Sequence, residues 1–205
     1  MLAASIHLSR GTPYIYMGEE IGMVDPDYDS MEDYVDVESL NAYQGLLAEG
    51  QSPEAAFRII KAKSRDNSRT PMQWDDSVNA GFTTGTPWLK ACKSYPLINV
   101  ENEIKGPIFT FYQKLIALRK ELPIIAEGSY QPAYEDSPQV YAFEREWQGQ
   151  KLLVFNNFYA DPITVDILPD YQNGQVLLSN YGKTQIDHVM TLQPYETMAI
   201  LVGEN

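Results

Sequence analysis

The stretch Gly11-Thr-Pro-Tyr-Ile-Tyr-Met-Gly18 decides the fold class that the sequence predicts. Residues 12–17 form a short, aromatic and largely apolar run, which favours a buried strand. Residues 1–10 have the apolar spacing of the end of an amphipathic helix, which Gly11 would close. A helix, a short turn and a buried strand together indicate an α/β unit.

Helices and one long loop are predicted after this unit. Ser30-Met-Glu-Asp33 resembles a capping box and predicts a helix over residues 31–47. Pro53 suits a first helical turn and predicts a second helix to about residue 62. Residues 63–106 are irregular, and loops of this length are usually functional. An apolar stripe predicts a helix over residues 108–122, which Pro123 ends.

The sequence changes character near residue 123, after which short strand-like runs alternate with turn signals. This pattern favours an antiparallel sandwich or barrel. We therefore expect two domains, residues 1–122 and residues 123–205. The predicted strands cover residues 140–147, 151–155, 163–167, 175–178, 189–192 and 197–202.

Composition excludes several classes of function. The formal net charge of −13 makes the chain a poor binder of nucleic acid and of anionic membranes. One cysteine, Cys92, excludes a disulfide within the chain and fits a reducing, cytoplasmic location. No apolar run reaches membrane-spanning length, and the first ten residues lack the basic leader of a signal peptide. A chain that opens within a helix is expected to be truncated.

The run Lys63-Ser-Arg-Asp-Asn-Ser-Arg-Thr-Pro-Met-Gln-Trp74 concentrates polar side chains without helical or strand periodicity. Arginine presents a planar fork of donors that suits carboxylates and vicinal sugar hydroxyls. Arg65 and Arg69 are four residues apart, so one helical turn would align them. The residues alone leave open whether these arginines bind a ligand or pair with Asp66, Asp75 or another carboxylate.

Other candidate residues have strong structural alternatives. Glu19 and Glu20 follow the predicted strand, where a carboxylate can act as an acid, a base or a ligand. Neighbouring strand residues point to opposite sides, so the two acids are not expected to act as a pair. Glu38 lies in an acidic stretch that the residues alone interpret as a solvated helix face. We find no metal-binding, P-loop or dinucleotide pattern and expect no metal or cofactor.

Four ordered segments share the character of family signatures. The segments are Gly11-Thr-Pro-Tyr-Ile-Tyr-Met-Gly-Glu-Glu-Ile-Gly-Met23, Tyr34-Val-Asp-Val-Glu-Ser-Leu-Asn41, Arg65-Asp-Asn-Ser-Arg-Thr-Pro-Met-Gln-Trp74 and Ala80-Gly-Phe-Thr-Thr-Gly85. In this order they resemble one family, the oligo-1,6-glucosidase and trehalose-6-phosphate hydrolase branch of the α-amylase family of glycoside hydrolases. Ser64 and Ser68 favour the trehalose-6-phosphate side, since oligo-1,6-glucosidases more often carry glycine and alanine there.

The resemblance implies the end of a (β/α)8 barrel followed by an antiparallel β-sandwich. Residues 14–16 would be the last barrel strand, residues 24–106 the loop after it and residues 108–122 the last helix. Residues 124–205 would form the sandwich.

The resemblance also implies a retaining mechanism, in which three acids on earlier strands do the chemistry. No catalytic residue is therefore expected in this chain. Arg65 would bind the outer hydroxyls of the non-reducing-end glucose, Arg69 would support that loop, and Glu38 would contact the leaving-group sugar. Glu19 and Glu20 are implied to be buried supports, with Asp66 as a further support.

The leading hypothesis is the C-terminal part of an α-glucosidase that splits trehalose 6-phosphate into glucose and glucose 6-phosphate. By itself the chain should be inactive. Exposed barrel surfaces should cause self-association or partial disorder over residues 1–106. The alternatives are an oligo-1,6-glucosidase or dextran glucosidase acting on isomalto-oligosaccharides, a non-catalytic carbohydrate-binding module, and a non-catalytic relative of transporter subunits. The substrate would be a disaccharide or an oligosaccharide.

Overall fold

The computed structural model describes residues 1–203. The last two residues of the predicted β domain, residues 123–205, lie outside this range. The chain divides into two compact units. One unit combines Met1–Tyr14 with the chain from Phe111 onward, and the other is Ile15–Thr110. These units do not follow the predicted boundary near residue 123, which stays a prediction.

The first helix and the segment after it differ from the prediction. Helix α1 covers Leu2–His7 and is capped by Leu8, not by Gly11. Residues 12–16 belong to no helix or strand in the described part of the chain. Tyr14 and Tyr16 are 85% and 54% exposed, where the pattern predicted burial. A strand requires a neighbour that accepts and donates its backbone hydrogen bonds, and no described strand lies beside this segment.

The predicted helix over residues 31–47 is interrupted. A short 3-10 helix, Met31–Asp33, is followed by extended backbone at Tyr34, and helix α2 covers Val37–Ala48. Ser30 makes no capping hydrogen bond, so the capping-box prediction is wrong. The cap of α2 is Asp36, whose carboxylate accepts a hydrogen bond from Ser39 N–H.

The following helices agree better with the prediction. Helix α3 covers Pro53–Lys63, and its N-terminal cap is Ser52. A 3-10 helix, Arg65–Ser68, follows directly. Helix α4, Val100–Glu103, was missed in the long irregular stretch, whereas α5, Pro107–Glu121, was predicted to within one residue at each end. No helix within residues 1–203 is long and apolar enough to cross a membrane.

The unit that combines Met1–Tyr14 with the chain from Phe111 onward, here called the β-rich unit, confirms the predicted antiparallel sandwich. A short helix α6, Ile124–Glu127, precedes a five-stranded antiparallel sheet in the order β1-β2-β3-β7-β5, and β4 pairs with β6. All six predicted strands are present. The missed strand, β1, has three residues with proline in the middle, too short for a periodic signal. The strands are β1 Gln131–Ala133, β2 Val140–Trp147, β3 Gln150–Asn157, β4 Ile163–Asp166, β5 Gln175–Ser179, β6 Val189–Leu192 and β7 Thr197–Val202.

Strand β3 is buried on both faces and therefore separates two hydrophobic cores. Leu152 and Val154 pack on the side of α1, α5 and α6. Leu153 and Phe155 pack on the side of β4 and β6. The alternation of side chains along a strand produces this division, so the period of two decides which residues enter which core.

Candidate functional site

The Arg65–Ser68 3-10 helix is tied to the end of α3 by Ser64. The buried Ser64 hydroxyl accepts a hydrogen bond from Asp66 N–H at 3.2 Å, and its oxygen lies at hydrogen-bonding distance, 2.8 Å, from Ser39 Oγ. This geometry fixes the direction in which the chain leaves α3, and therefore where Arg65 and Arg69 begin.

Asp66 is the fully buried centre of the site. Its Oδ2 accepts hydrogen bonds from the backbone N–H groups of Val35 and Asp36, both at 2.8 Å. Its Oδ1 lies 3.5 Å from Arg69 Nη1, an ion-pair distance. Asp66 thus joins the stretch directly before α2 to residues 65–69, which we call the arginine-bearing segment. The contacts agree with its predicted role as a support, which stays a prediction.

Asp36 is the carboxylate that both arginines share. Its Oδ1 lies 3.0 Å from Arg65 Nη2 and 3.2 Å from Arg69 Nη1, and its side chain is 6% exposed. Its Oδ2 accepts hydrogen bonds from the N–H and the hydroxyl of Ser39. Burial alone would raise the pKa of Asp36, but the Ser39 and Arg69 hydrogen bonds and the charge of Arg65 together lower it below the usual value.

Arg65 also pairs with Glu38, because Arg65 Nη2 lies 2.7 Å from Glu38 Oε2. Both side chains are exposed, at 54% and 72%. Glu38 lies in the first turn of α2, where the helix dipole favours a carboxylate. Arg65 is therefore held between one buried and one exposed carboxylate, beside a cleft of about 160 Å³ that Lys63 and Ile59 also line.

Arg65 and Arg69 were predicted from the sequence as site residues, whereas Asp36 was not. A carboxylate within an acidic stretch was interpreted as solvated, and the local pattern contains no sign of partners about 30 residues away. The signal that could have identified it is an aspartate directly before a helix-forming run, because aspartate is a favoured N-cap residue. Asp75, one predicted partner of the arginines, instead bonds to Ser77.

Glu19 and Glu20 differ from the implied pair of buried supports. They lie in a 3-10 helix, Glu19–Ile21, after Gly18, whose φ of 93° favours glycine. Glu20 is partly buried and its Oε2 accepts the Gly18 N–H at 2.8 Å. Glu19 is exposed, so its predicted burial is wrong, because the turn is local and no described element packs over it.

A second cleft of about 160 Å³ brings Glu19 next to the arginine-bearing segment. Tyr16, Met17, Asn67 and Ser68 also line it, and the Tyr16 hydroxyl donates to the Ser68 carbonyl at 2.6 Å. The turn after the predicted strand and the polar loop therefore meet within Ile15–Thr110. In the part of the chain that the structure describes, no group of three or more His, Cys, Asp or Glu side chains is arranged to hold a metal.

Comparison with known families identifies the family of this chain. Residues 1–128 match the catalytic domain of alpha amylase, and residues 140–199 match the alpha-amylase SusG C-terminal domain. The chain therefore belongs to the alpha-amylase family of glycoside hydrolases, which confirms the resemblance and the predicted fold class.

Among curated relatives, the trehalose-6-phosphate hydrolase of Bacillus subtilis (strain 168) is 44% identical over 97% of this chain and 36% of its own length. The oligo-1,6-glucosidase of Halalkalibacterium halodurans is also 44% identical, over 100% of this chain and 37% of its own length. The chain thus spans little more than a third of the length of the relatives it matches.

Solved structures show the same relationship. The trehalose-6-phosphate hydrolase of Bacillus licheniformis aligns with a TM-score of 0.92 and 43% identity, over 99% of this chain and 38% of that one. The trehalulose synthase MutB of Pseudomonas mesoacidophila aligns with a TM-score of 0.89 and 35% identity, over 98% of this chain and 37% of that one. The fold is therefore shared by enzymes whose names refer to different sugar reactions.

Proposed function

We propose that this chain forms the last part of the catalytic barrel and the C-terminal β domain of a cytoplasmic retaining α-glucosidase. The whole enzyme would split trehalose 6-phosphate into glucose and glucose 6-phosphate. The observation that supports this proposal best is the ion-pair cluster of Arg65, Arg69, Asp36, Glu38 and Asp66. It holds an exposed guanidinium in one orientation before any ligand arrives.

Arg65 would act as a binding residue for sugar hydroxyls. Only its Nη2 is committed to Asp36 and Glu38 in this structure, so other N–H groups of its fork remain for a ligand. Orientation before binding reduces the entropy that a side chain loses when the ligand arrives.

The charge of the cluster favours a neutral ligand. Two guanidinium groups and three carboxylates leave one net negative charge among these five side chains. Lys63, which lines the same cleft, brings the total to zero, so no excess of positive charge selects a phosphate there. A hydroxyl, by contrast, can donate to a carboxylate and accept from a guanidinium. We therefore place the unphosphorylated glucose next to Arg65, and the phosphate in a part of the enzyme outside this cluster.

The chemistry itself would come from acids in the part of the relatives that this chain does not match. The retaining mechanism that the family resemblance implies uses two close carboxylates and a covalent glycosyl intermediate. In this proposal Glu38 contacts the leaving-group sugar, Arg69 and Asp66 support the Arg65 segment, and Glu20 supports the neighbouring turn. The chain by itself is inactive in this proposal.

An oligo-1,6-glucosidase is the second candidate, because a relative of that name matches this chain with the same 44% identity. Ser64 and Ser68 favour the trehalose-6-phosphate enzyme. The Ser64 hydroxyl bonds to Ser39 and to Asp66 N–H, contacts that glycine would lack.

Hybrid enzymes test the proposal directly. This chain would replace the matching third of two enzymes. The first is the Bacillus subtilis trehalose-6-phosphate hydrolase, and the second is the Halalkalibacterium halodurans oligo-1,6-glucosidase. We expect the first hybrid to retain much more of its parent's kcat/KM than the second. The reverse order would support the oligo-1,6-glucosidase, and two inactive but folded hybrids would contradict both candidates.

Two further measurements complete this test. In the active hybrid, Arg65→Ala should lower kcat/KM by at least about 100-fold, since it removes charge-assisted hydrogen bonds of about 3 kcal/mol. Arg58→Ala, which changes an exposed arginine of α3, should have little effect. Purified chain should show no hydrolysis of trehalose 6-phosphate or isomaltose, and turnover above background would contradict the proposed inactivity.

Self-association through the first residues is part of the same proposal. Leu2, Ile6 and Tyr14 are 63%, 58% and 85% exposed. Exposed apolar clusters of this kind promote association. Sedimentation velocity should detect dimers or larger species that Leu2→Glu with Ile6→Glu abolishes. Monomers at every concentration would contradict this part of the proposal.

A further inference from the structure

The β-rich unit contains a cleft of its own, of about 530 Å³, beside strand β6. Its volume lies in the usual range of small-molecule sites. Its lining is largely polar and comes from the loop after β5 and from β6 and the residue after it. The polar lining residues are Lys183, Thr184, Gln185, Asp187, Thr191 and Gln193.

Exposed tyrosines are close in sequence to the residues that line this cleft. Tyr181 directly precedes the first lining residue, and Tyr195 follows the last one after Pro194. The Tyr181 hydroxyl donates to the Pro194 carbonyl at 2.9 Å, and Tyr195 N–H donates to the Tyr159 carbonyl at 3.2 Å. These hydrogen bonds link the three turns of the β domain that carry Tyr159, Tyr181 and Tyr195, and each of these residues is 51% exposed.

The turn that carries Tyr195 is held rigidly in an unusual conformation. Tyr195 has a φ of 55°, a region that bulky side chains rarely adopt. Asn180 Nδ2 donates to its carbonyl at 3.0 Å. The fully buried Glu196 accepts hydrogen bonds from Gln193 N–H at 2.7 Å and from Lys183 Nζ at 2.8 Å. Strained residues of this kind cluster at ligand sites.

We propose that this cleft and the Tyr159–Tyr181–Tyr195 rim form a non-catalytic binding site for a neutral glucosyl oligosaccharide. Aromatic rings with a polar edge supply large contact area at low entropic cost, and a pyranose ring presents a flat C–H face to them. The glutamine and threonine side chains of the lining supply hydrogen bonds to hydroxyls. Glu196 pairs with Lys183, so the cleft has no uncompensated cation there to select a phosphate. The choice of a sugar rests partly on the proposed function, whereas the presence of a ligand site does not.

Titration calorimetry of the chain with maltotriose and with isomaltotriose tests this site. We expect saturable binding with a Kd of about 1 mM, typical of shallow sites with a few stacking contacts. Tyr195→Gly removes the ring and also relieves the strained φ, so it should fold normally while it weakens binding at least about tenfold. Tyr181→Ala should weaken binding similarly. Trp88→Ala, which removes a 70% exposed ring from the other unit, is the matched control and should leave the Kd unchanged.

Two outcomes would overturn the site. One is the absence of saturable binding to both trisaccharides by wild-type chain. The other is binding that Tyr195→Gly and Tyr181→Ala leave unchanged, including binding that Arg65→Ala abolishes instead. Since the measurement needs no turnover, the hybrid enzymes can fail while this site binds sugar, and the reverse also holds.

Discussion

Arg65 Nη2 lies 3.0 Å from Asp36 Oδ1, so an exposed guanidinium is anchored on a carboxylate whose side chain is only 6% exposed. Asp36 is in turn held by Ser39 and shares its Oδ1 with Arg69. This arrangement separates two tasks. Buried groups determine where Arg65 points, and the exposed part of Arg65 remains accessible to a ligand.

The first prediction concerns the titration of Asp36. Burial would raise its pKa, yet the Ser39 and Arg69 hydrogen bonds and the charge of Arg65 lower it. Arg65→Met should therefore raise the pKa of Asp36, measured by NMR titration of the carboxyl carbon. Arg58→Met changes an exposed arginine on α3 and should leave this pKa unchanged. An unchanged pKa in Arg65→Met would contradict the coupling.

The same lowered pKa has a defined effect on stability. The folded-state pKa of Asp36 is below the unfolded value of about 3.9. The ionised carboxylate therefore contributes fully to the stability of the fold at pH values above the unfolded pKa. The contribution is lost as the pH falls through the folded pKa. Acid unfolding of the Ile15–Thr110 unit should therefore begin at higher pH in Ser39→Ala than in wild type. Equal acid midpoints would count against this role of Ser39.

A second prediction addresses Asp66. Asp66→Ala removes the acceptor of two backbone N–H groups, one buried at Asp36 and one partly buried at Val35. We expect a loss of about 3 kcal/mol in the free energy of unfolding, measured by urea titration with tryptophan fluorescence. Asp170→Ala, which breaks an exposed pair with Lys151, should cost less than about 1 kcal/mol. Equal losses in the two variants would refute the central role of Asp66.

A third prediction concerns the first helix. Arg119 donates to the carbonyls of His7 at 2.8 Å and Ser9 at 2.7 Å, and also to that of Gly11. Arg119→Met leaves these carbonyls without that donor, and we expect a destabilisation of about 2 kcal/mol. Lys120→Met, at the next and exposed position of α5, is the control and should change stability by less than about 0.5 kcal/mol.

A fourth prediction concerns the start of α3. The Ser52 hydroxyl accepts Ala55 N–H at 3.2 Å, so Ser52→Ala should destabilise the helix by about 1 kcal/mol. Ser52→Asp keeps an acceptor at this cap and should retain stability. Amide hydrogen exchange of the first turn of α3 distinguishes the two variants, and faster exchange in both would argue against a capping role.

The strands were predictable because their signals are local. Residues 140–147 and 189–192 are strands with the predicted bounds, since alternation and turn residues at each end act between near neighbours. Helix α3 was predictable for the same reason, because Ser52 and Pro53 mark its start. The two cores follow from alternation once the sheets are known.

Distant partners were not predictable. The sequence predicted one helix from residue 31, but the structure extends Tyr34 to Asp36 so that two backbone N–H groups reach Asp66, about 30 residues away. The strand predicted at residues 12–17 does not form within the described residues, because strand formation depends on a neighbour that local pattern does not specify. The tyrosine rim likewise comes from three separate turns.

By itself, the sequence determined the family and the antiparallel C-terminal domain, and it predicted Arg65 and Arg69 as site residues, because motifs and periodicity are properties of adjacent residues. The tertiary structure decided which carboxylates hold those arginines, which acid is exposed and where tyrosines gather. These are long-range choices, made when buried donors and acceptors must find partners across the fold.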